Sequence, residues 1–431
     1  MNESGAFLGA DNGFELYYFI LSAIEKLTGL TLEDILDKRE NIRGYHRDCY
    51  LEKGLPGYTS GPTLIEIAGS YQFADHFTKP MIDFDKNYTF LYILNTSERN
   101  FPDFPANVHF LFRNTLEEWA EKFPVGKYLW LNGDPSLIND ETFEELNGSL
   151  KRQLKRVFED QNPALLLGAG VSQEYGVPSW NDLLKCIEET IIEKQDLPKS
   201  TKVFEKAGNT NIIIGQFVQM MNNDEVIHLL ESILYAKLRN PVNTEEKTTL
   251  NSVAQLIKRQ INKGRIPTVV SYNYDDLLEG ILETNNIPHY PVTEYSLPPM
   301  NMRLLIYHPN GFLPVLGETS YVRSESVVFG EDQYNKLMAN PYSWGQALQA
   351  KTLSESTCVF IGNSMTDPDL RLLLKKEQRT KHFLGCHYAL MLKDRLGIKE
   401  LAFLHRFLSL MGVQCVWFDS AKEERLFIDK L

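Results

Sequence analysis

The chain has 431 residues, which exceeds one typical core, so two domains are expected. Hydrophobic residues make up 43% and charged residues 23%, a composition that excludes a disordered or fibrous protein. The formal net charge of −13 argues against strong nucleic-acid binding. The polar, acidic N-terminus and the lack of an apolar run of bilayer length predict a cytoplasmic protein without membrane contact.

The N-terminal third predicts a small α/β domain over residues 1–135. It opens with an amphipathic helical pattern over residues 12–30, with Gly29 as its stop. LEEWAEKFP at 116–124 predicts a further helix ended by Pro124. Between the helices, short runs rich in β-branched or aromatic residues predict three strands, PTLIEIAG at 62–69, TFLYILN at 89–95 and VHFLF at 108–112.

The strongly charged residues 136–160 predict a helical linker. The basic run KRQLKR at 151–156 is typical of a solvated helix face, with nucleic-acid contact as the alternative. Over residues 161–431, fully apolar strands alternate with helical segments, which predicts a Rossmann-like, doubly wound parallel sheet. The strands are ALLLGAG from Ala164, TVVSYNYD at 268–275, LLIYH at 304–308 and CVFIGNS at 358–364.

The first of these strands runs into GAGVSQEYGVPSW, where glycines stand at a βα turn that can approach a phosphate. Many such turns use glycine only for its dihedral freedom. The segment resembles the first NAD-binding motif of the sirtuin family, in its bacterial Sir2-like branch. The resemblance implies that the turn holds the dinucleotide through Gly168, Ala169, Gly170 and Ser172, under a loop shaped by Val177, Pro178 and Trp180. A core aromatic is the alternative for Trp180.

The second motif is SYNYDDLLEG at 271–280, a strand end followed by an amphipathic helix. Asn273 and Asp275 match, in identity and spacing, the Asn and Asp that face the nicotinamide ribose in sirtuins. A carboxylate and an amide beside that sugar would stabilise an oxocarbenium-like transition state and place a water. Taken alone, Asn and Asp at a strand end are turn formers or helix caps.

The third motif is LLIYHPNGFLP at 304–314, which resembles the histidine–glycine motif of sirtuins but departs from it. The family's catalytic histidine directly precedes the glycine, whereas here Asn310 precedes Gly311. His308 lies two residues earlier and, by the period-two alternation of a strand, on the same side as Asn310. We expect His308 to act as general base with Asn310 as a supporting polar group. The alternative is a hydrogen-bonded core histidine.

The fourth motif is CVFIGNSMTDPDLRLLL at 358–374, where a strand delivers Gly362, Asn363 and Ser364 to a helix. The family resemblance implies that Gly362 and Ser364 contact the phosphate or adenosine side of the dinucleotide. Asp367 and Pro368 are typical of an N-cap and a first helical residue. VVFGEDQYNKL at 327–337 also resembles bacterial Sir2-like domains, in which it helps to enclose the site.

The cysteines distinguish this chain from protein-deacetylating sirtuins, which carry a structural zinc on two cysteine pairs. The five cysteines here are scattered singly, so no zinc is expected. The sirtuin resemblance implies that NAD is the substrate. The resemblance is then to prokaryotic Sir2-like domains that hydrolyse NAD in antiphage defence. It implies an NAD+ glycohydrolase that releases nicotinamide and ADP-ribose. The alternative is a catalytically weak sensor that binds NAD or ADP-ribose and regulates a partner.

The N-terminal domain faintly resembles restriction-endonuclease-like folds. Glu66, Ile67 and Ala68 stand at the family's Glu-x-Lys triplet, but the lysine is missing, which argues against metal-dependent phosphodiester cleavage. A degenerate domain retained for oligomerisation, for sensing phage or for docking a partner fits better. Glu66 is otherwise an outward-facing polar residue on a half-buried strand. The resemblance implies control by a homo-oligomer or by a partner such as a HerA-type ATPase.

Overall fold

The structure is a computed structural model of the chain. It describes residues 13–30, 35, 41–42, 45–46, 49–68, 87–95, 105–123, 138–198, 221, 223–238, 247–294, 296–314, 327–328, 343–380 and 387–431. The chain divides into two compact units, and the division falls inside the charged helix that the sequence predicts. The first unit comprises Met1–Gln153, His382–Leu384 and Arg395–Gly412, and the second comprises Leu154–Lys381, Gly385–Asp394 and Val413–Leu431.

The first unit contains a four-stranded sheet in the order β3-β4-β5-β6, in which β3 is antiparallel to β4 and the other pairs are parallel. The three predicted strands are confirmed, and β3 was not predicted. The elements of this part are α1 (Gly13–Thr28), β1 (Asn41–Ile42), β2 (Tyr45–His46), β3 (Cys49–Leu51), β4 (Thr63–Ala68), β5 (Thr89–Leu94), β6 (Val108–Leu111), α2 (Arg113–Lys122) and α3 (Asp140–Asp160), which continues into the second unit.

Aromatic side chains form much of the core on one face of this sheet. The Tyr92 ring stacks on Phe110 with centroids 5.4 Å apart, and both pack with Leu64 and Phe90. Glu66 lies on β4 opposite Tyr92 and is half-buried. Helix α2 begins three residues before the predicted start, and Pro124 lies outside the described residues.

The second unit is built on a seven-stranded sheet in which every pair of neighbours is parallel. This confirms the predicted α/β fold with a doubly wound parallel sheet. Its elements, with α11 of the first unit included in chain order, are β7 (Ala164–Leu167), α4 (Gly170–Gln173), α5 (Trp180–Lys194), α6 (Asn223–Leu234), α7 (Thr249–Asn262), β8 (Val269–Ser271), α8 (Leu277–Thr284), β9 (His289–Val292), β10 (Leu304–Tyr307), α9 (Trp344–Glu355), β11 (Cys358–Ile361), α10 (Pro368–Thr380), β12 (His387–Leu392), α11 (Ile398–Ser409), β13 (Val413–Phe418) and α12 (Ala421–Ile428).

The strand order β13-β12-β11-β7-β8-β10-β9 places β7 in the middle of the sheet. The chain builds outward from β7 through β8 on one side and then returns to add β11 on the other, so the order reverses at β7. Such a reversal opens a crevice at the carboxyl ends of the strands, where doubly wound sheets bind ligands. The turn after β7 is therefore the point from which a site has to be built.

Three strands of this sheet, β9, β12 and β13, were not predicted. Strand β12 begins with His387 and Tyr388, and β13 contains Gln414, yet all six residues of β13 are buried. Among the helices that the structure describes, none combines the length and the apolarity needed to cross a lipid bilayer.

Candidate active site

The turn after β7 lies directly against the turn after β11. The amide of Gly168 donates to the carbonyl of Ile361 at 3.0 Å, and that of Gly170 donates to Gly362 at 2.8 Å. A Cβ on Gly168 would lie 2.6 Å from the carbonyl oxygen of Gly362. Gly362 has a φ of +63°, and a Cβ there would lie 2.5 Å from the amide nitrogen of Val171. Both positions require glycine because two backbone segments touch, independently of any ligand.

Asn273 joins the turn after β8 to the turn after β7. Its side chain is buried, and its amide group donates to the carbonyl of Gly168 at 3.1 Å and to Oγ of Ser172 at 3.0 Å. A carbonyl can only accept, so this contact fixes which end of the Asn273 amide faces Gly168. Three residues that the sequence analysis assigned to the site are thus in direct contact.

Asp275 is the buried carboxyl group of this cluster, with 5% of its surface exposed. Burial raises the pKa of Asp275 to about 6, and the charges of Glu279 and Asp276 add to the increase. Hydrogen bonds from the Ser172 hydroxyl and the Leu277 amide lower the pKa, because they favour the charged carboxylate. A carboxyl group of this kind changes protonation close to neutral pH, as a general base requires.

Asp275 also fits the alternative role that the sequence allows, that of a turn former at a strand end. The amide of Leu277 donates to its Oδ1 at 3.3 Å, at the start of helix α8. Asp276 is the N-cap of α8, so Asp275 stabilises the turn before the helix. Holding a turn and serving a site are compatible, since the same carboxylate also bonds to Ser172. The backbone interaction fixes where the carboxyl group lies.

His308 follows β10 and is fully buried between protein groups. Its Nδ1 lies 3.1 Å from the backbone carbonyl of Asn273, and its Nε2 lies 2.8 Å from Oε1 of Glu279. The ring also packs on Phe312, with centroids 4.4 Å apart. Both ring nitrogens are therefore engaged within the protein. This geometry favours the alternative of a hydrogen-bonded core histidine, and the role of general base stays a prediction.

Glu279 is the residue that the sequence analysis missed. It lies on α8 with 1% of its surface exposed, and its Oε2 has no hydrogen-bond partner among the described residues. Asp275 lies before α8, so the spacing of the two acids gives no helical signal. In the sequence it reads as an ordinary solvent-facing acid.

The segment after β10 is hydrogen-bonded to backbone carbonyls of the turn after β8. The side-chain amide of Asn310 donates to the carbonyl of Tyr272 at 3.3 Å, and the amide of Leu313 donates to the carbonyl of Tyr274 at 2.7 Å. Gly311 between them has a φ of +109°. Asn310 is half-buried and lies beside the Asn273 segment.

The loop before α5 has a mixed environment. Val177 is buried, Pro178 is half-buried, and Trp180 is 38% exposed as the first residue of α5. Trp180 is therefore not a core aromatic, which was the alternative for it. Ser179 caps the helix, with its hydroxyl accepting from the amide of Asp182 at 3.1 Å. Ala169, in the preceding turn, is half-buried.

The turn after β11 exposes Ser364, whose hydroxyl pairs with that of Thr366 at 2.7 Å. The predicted cap is confirmed: α10 begins at Pro368, and Oδ1 of Asp367 accepts from the amide of Asp369 at 2.8 Å. Of the segment 327–337, residues 329–337 lie outside the described residues. The amide of Val328 donates to the carbonyl of Asn310 at 2.8 Å.

Four of the cysteines lie among the described residues, where Cys49, Cys358 and Cys415 are buried, and Cys386 lies outside them. Within the described ranges, no three His, Cys, Asp or Glu side chains come together as a group that could hold a metal ion.

Comparison with known proteins finds one domain family to which part of this chain is similar. Residues 267–415 match the family model of the SIR2-like domain. None of the curated proteins compared with the chain matches it. Among solved structures, a complex of a mutant Sir2 homologue with ADP ribose is similar, with 13% identity, 65% of this chain and 95% of that chain covered, and a TM-score of 0.31.

The family match begins just before β8 and includes Asn273, Asp275, Glu279 and His308. The match lies mostly in the second unit and includes the second, third and fourth motifs, whereas the first motif, at residues 168–180, lies outside it. The second unit is a doubly wound α/β unit, and the similarity of residues 267–415 to the SIR2-like domain suggests an NAD-related function.

Proposed function

We propose that this chain is an NAD+ glycohydrolase that cleaves NAD+ to nicotinamide and ADP-ribose. The observation that carries the proposal is the buried carboxyl group of Asp275, bonded to Ser172 beside Asn273 in a SIR2-like domain. These groups lie at the carboxyl ends of β7 and β8, where the strand order reverses. Doubly wound sheets bind ligands in the crevice at such a reversal, and an acid there whose pKa is near neutral is suited to chemistry on a bound ligand.

In the proposed reaction the bond between the ribose C1′ and the nicotinamide nitrogen breaks. The bonding electron pair leaves with nicotinamide, whose ring loses its positive charge. The ribose is left as an oxocarbenium-like cation, which the carboxylate of Asp275 stabilises in a low-dielectric environment. Water adds to C1′, and Asp275 accepts the proton that the water releases.

Asn273 supports this chemistry by fixing the site. Its bonds to Gly168 and Ser172 hold the turn after β8 against the turn after β7. Fixed polar groups cost no reorganisation during the reaction, which is the advantage of a preorganised site. We assign binding of the dinucleotide to the other predicted residues, Gly168, Ala169, Gly170, Ser172, Pro178, Trp180, Asn310, Gly311, Gly362 and Ser364.

We further propose that the cleavage serves antiphage defence through depletion of NAD. An enzyme that destroys a central cofactor has to be inactive in a healthy cell. Control by a homo-oligomer or by a partner such as a HerA-type ATPase would meet that requirement, with the N-terminal unit as the docking part. The proposal predicts that cellular NAD falls after phage infection only when the chain is present with an intact Asp275.

A second candidate is a sensor that binds NAD or ADP-ribose with little or no catalysis. The observation that favours it is His308, whose two ring nitrogens are both bonded to protein groups. If catalysis required a free imidazole here, the domain would bind without turnover. Calorimetric titration together with product analysis separates the two functions, because a sensor gives binding heat and no nicotinamide.

The test of the proposed function is nicotinamide release from NAD+ by the purified chain and by Asn273→Ala. We expect the substitution to lower kcat/KM by about 100-fold, the size of effect seen when a preorganised polar group is removed. Asn162→Ala is the matched control, because Asn162 is an exposed asparagine that precedes β7 and bonds to the carbonyl of Ile266. The sensor would replace this proposal if the wild-type chain bound NAD but released no nicotinamide, even when extract from phage-infected cells was added.

A further inference from the structure

A buried acid–imidazole pair lies behind the proposed site. The Glu279 side chain is 1% exposed and that of His308 is 0% exposed, with 2.8 Å between Oε1 and Nε2. The desolvation of a buried ion pair offsets much of its attraction, and an apolar pair of similar volume is often as stable or more so. Stability of the fold is therefore a weak reason for this pair.

The hydrogen bonds define the number of protons that the pair holds. The carbonyl of Asn273 can only accept, so Nδ1 of His308 carries a hydrogen and donates it. The contact between Nε2 and Oε1 of Glu279 then contains one further proton, on either the imidazole or the carboxyl group. In both arrangements the pair is neutral overall. Sharing the proton limits the cost of burying Oε2 of Glu279, which has no hydrogen-bond partner in the described part of the chain.

The pair is connected to the site through one residue. His308 holds the backbone of Asn273, and the side chain of Asn273 holds Gly168 and Ser172. Ser172 in turn bonds to the carboxyl group of Asp275. A continuous series of hydrogen bonds thus runs from Glu279 to the first turn of the sheet and to the acid of the proposed reaction.

We propose that Glu279 is a positioning residue, which acts through His308 to hold Asn273 against Gly168 and Ser172. The inference rests on the proposed function for its effect on NAD cleavage. It assigns to Glu279 no contact with substrate, and it gives His308 a role that uses both ring nitrogens. Loss of either partner releases the Asn273 carbonyl, so both losses produce the same defect.

The experiment uses three variants of the full chain. Glu279→Leu removes the hydrogen-bond partner of His308 with little change in volume, and Glu279→Gln retains one, because its side-chain amide can donate to Nε2. Glu283→Gln is the matched control, since Glu283 is an exposed acid one turn later on the same helix. The readouts are nicotinamide release, the melting temperature and amide hydrogen exchange of peptides that span residues 269–276.

We expect Glu279→Leu to lower kcat by about 100-fold with KM changed by less than about threefold, because positioning of the reacting groups is lost while binding remains. Its melting temperature stays equal to that of the wild type or rises. Exchange in peptides over 269–276 becomes faster. Glu279→Gln recovers kcat to within about fivefold of the wild type, and Glu283→Gln matches it.

His308→Leu serves as a second, independent variant. We expect the same loss of kcat as in Glu279→Leu and no additional loss in the double variant, since both act through one bond to Asn273. Wild-type kcat and wild-type exchange in Glu279→Leu would overturn the inference, as would additive losses in the double variant. If the wild type releases no nicotinamide, the proposed function fails, and the exchange measurement alone still decides whether Glu279 holds the Asn273 segment.

Discussion

The turns after β8 and β11 both carry small and polar residues, but different interactions hold the two turns in place. The turn after β8 buries Asn273 and Asp275 among polar partners. The turn after β11 exposes Ser364 and uses Gly362 to let two backbone segments touch. Both turns carry small and polar residues at a strand end, which is the pattern that predicts a ligand site. The two turns differ in the burial of polar side chains, which lowers stability unless hydrogen bonds compensate for it.

The difference shows where stability and function are in conflict. At Gly362 the native residue is the one that packing requires, so substitution should destabilise the fold. At Asp275 the native residue keeps a carboxyl group in a buried place where its charge is unfavourable, so substitution should stabilise the fold and remove activity. Functional sites commonly show this opposition between stability and activity.

The largest effect on stability is expected for Gly362→Ala. Its Cβ would lie 2.5 Å from the amide nitrogen of Val171 in a backbone conformation with φ of +63°. Overpacking and the positive φ together should lower the free energy of unfolding by about 3 kcal/mol, measured by denaturant titration. Ser364→Ala in the same turn is the control and should change it by less than about 0.5 kcal/mol. Equal effects of the two variants would contradict the packing role of the glycine.

A smaller effect of opposite sign is expected for Asp275→Asn. The folded protein raises the pKa of Asp275 from 3.8 to about 6, so the ionised form is unfavourable in the fold. The stabilising contribution of this group is therefore complete below the unfolded pKa and is lost as the pH rises through about 6. Asp275→Asn should raise the free energy of unfolding by about 1 to 3 kcal/mol at about pH 8 and have little effect at about pH 4.

The control for this prediction is Glu189→Gln, because Glu189 is an exposed acid of α5. If Asp275→Asn lowered the stability at both pH values, its carboxylate would be a net stabilising group. The contrast between the two turns would then be lost.

Much of the fold was predictable because it rests on local patterns. The apolar runs that become β7, β8, β10 and β11 are bounded by glycine or polar residues and alternate with amphipathic helices. Strand β9 was missed because Pro291 interrupts a short run. Strands β12 and β13 were missed because His387, Tyr388 and Gln414 interrupt their apolar runs.

The residues of the candidate site were predictable from the sequence, but the contacts between them were less so. Asn273, Asp275 and Ser172 were selected by motif, and the structure brings them into contact. The pairing of His308 with Glu279 depends on two segments far apart in the chain, and a single sequence holds no sign of that contact. The packing requirement for glycine at position 362 was likewise not predictable, because the backbone that Gly362 contacts belongs to the turn after β7.

The most direct test of the central claim is the pH dependence of nicotinamide release from NAD+. If the carboxylate of Asp275 is the reacting base, kcat/KM should rise with pH through a midpoint of about 6, the pKa of Asp275 in the free protein. In Asp275→Asn the release should be lost by a factor of about 1,000, and the residual rate should show no step at that pH. A wild-type rate that stays constant between about pH 5 and about pH 8 would contradict the assignment of Asp275 as the base.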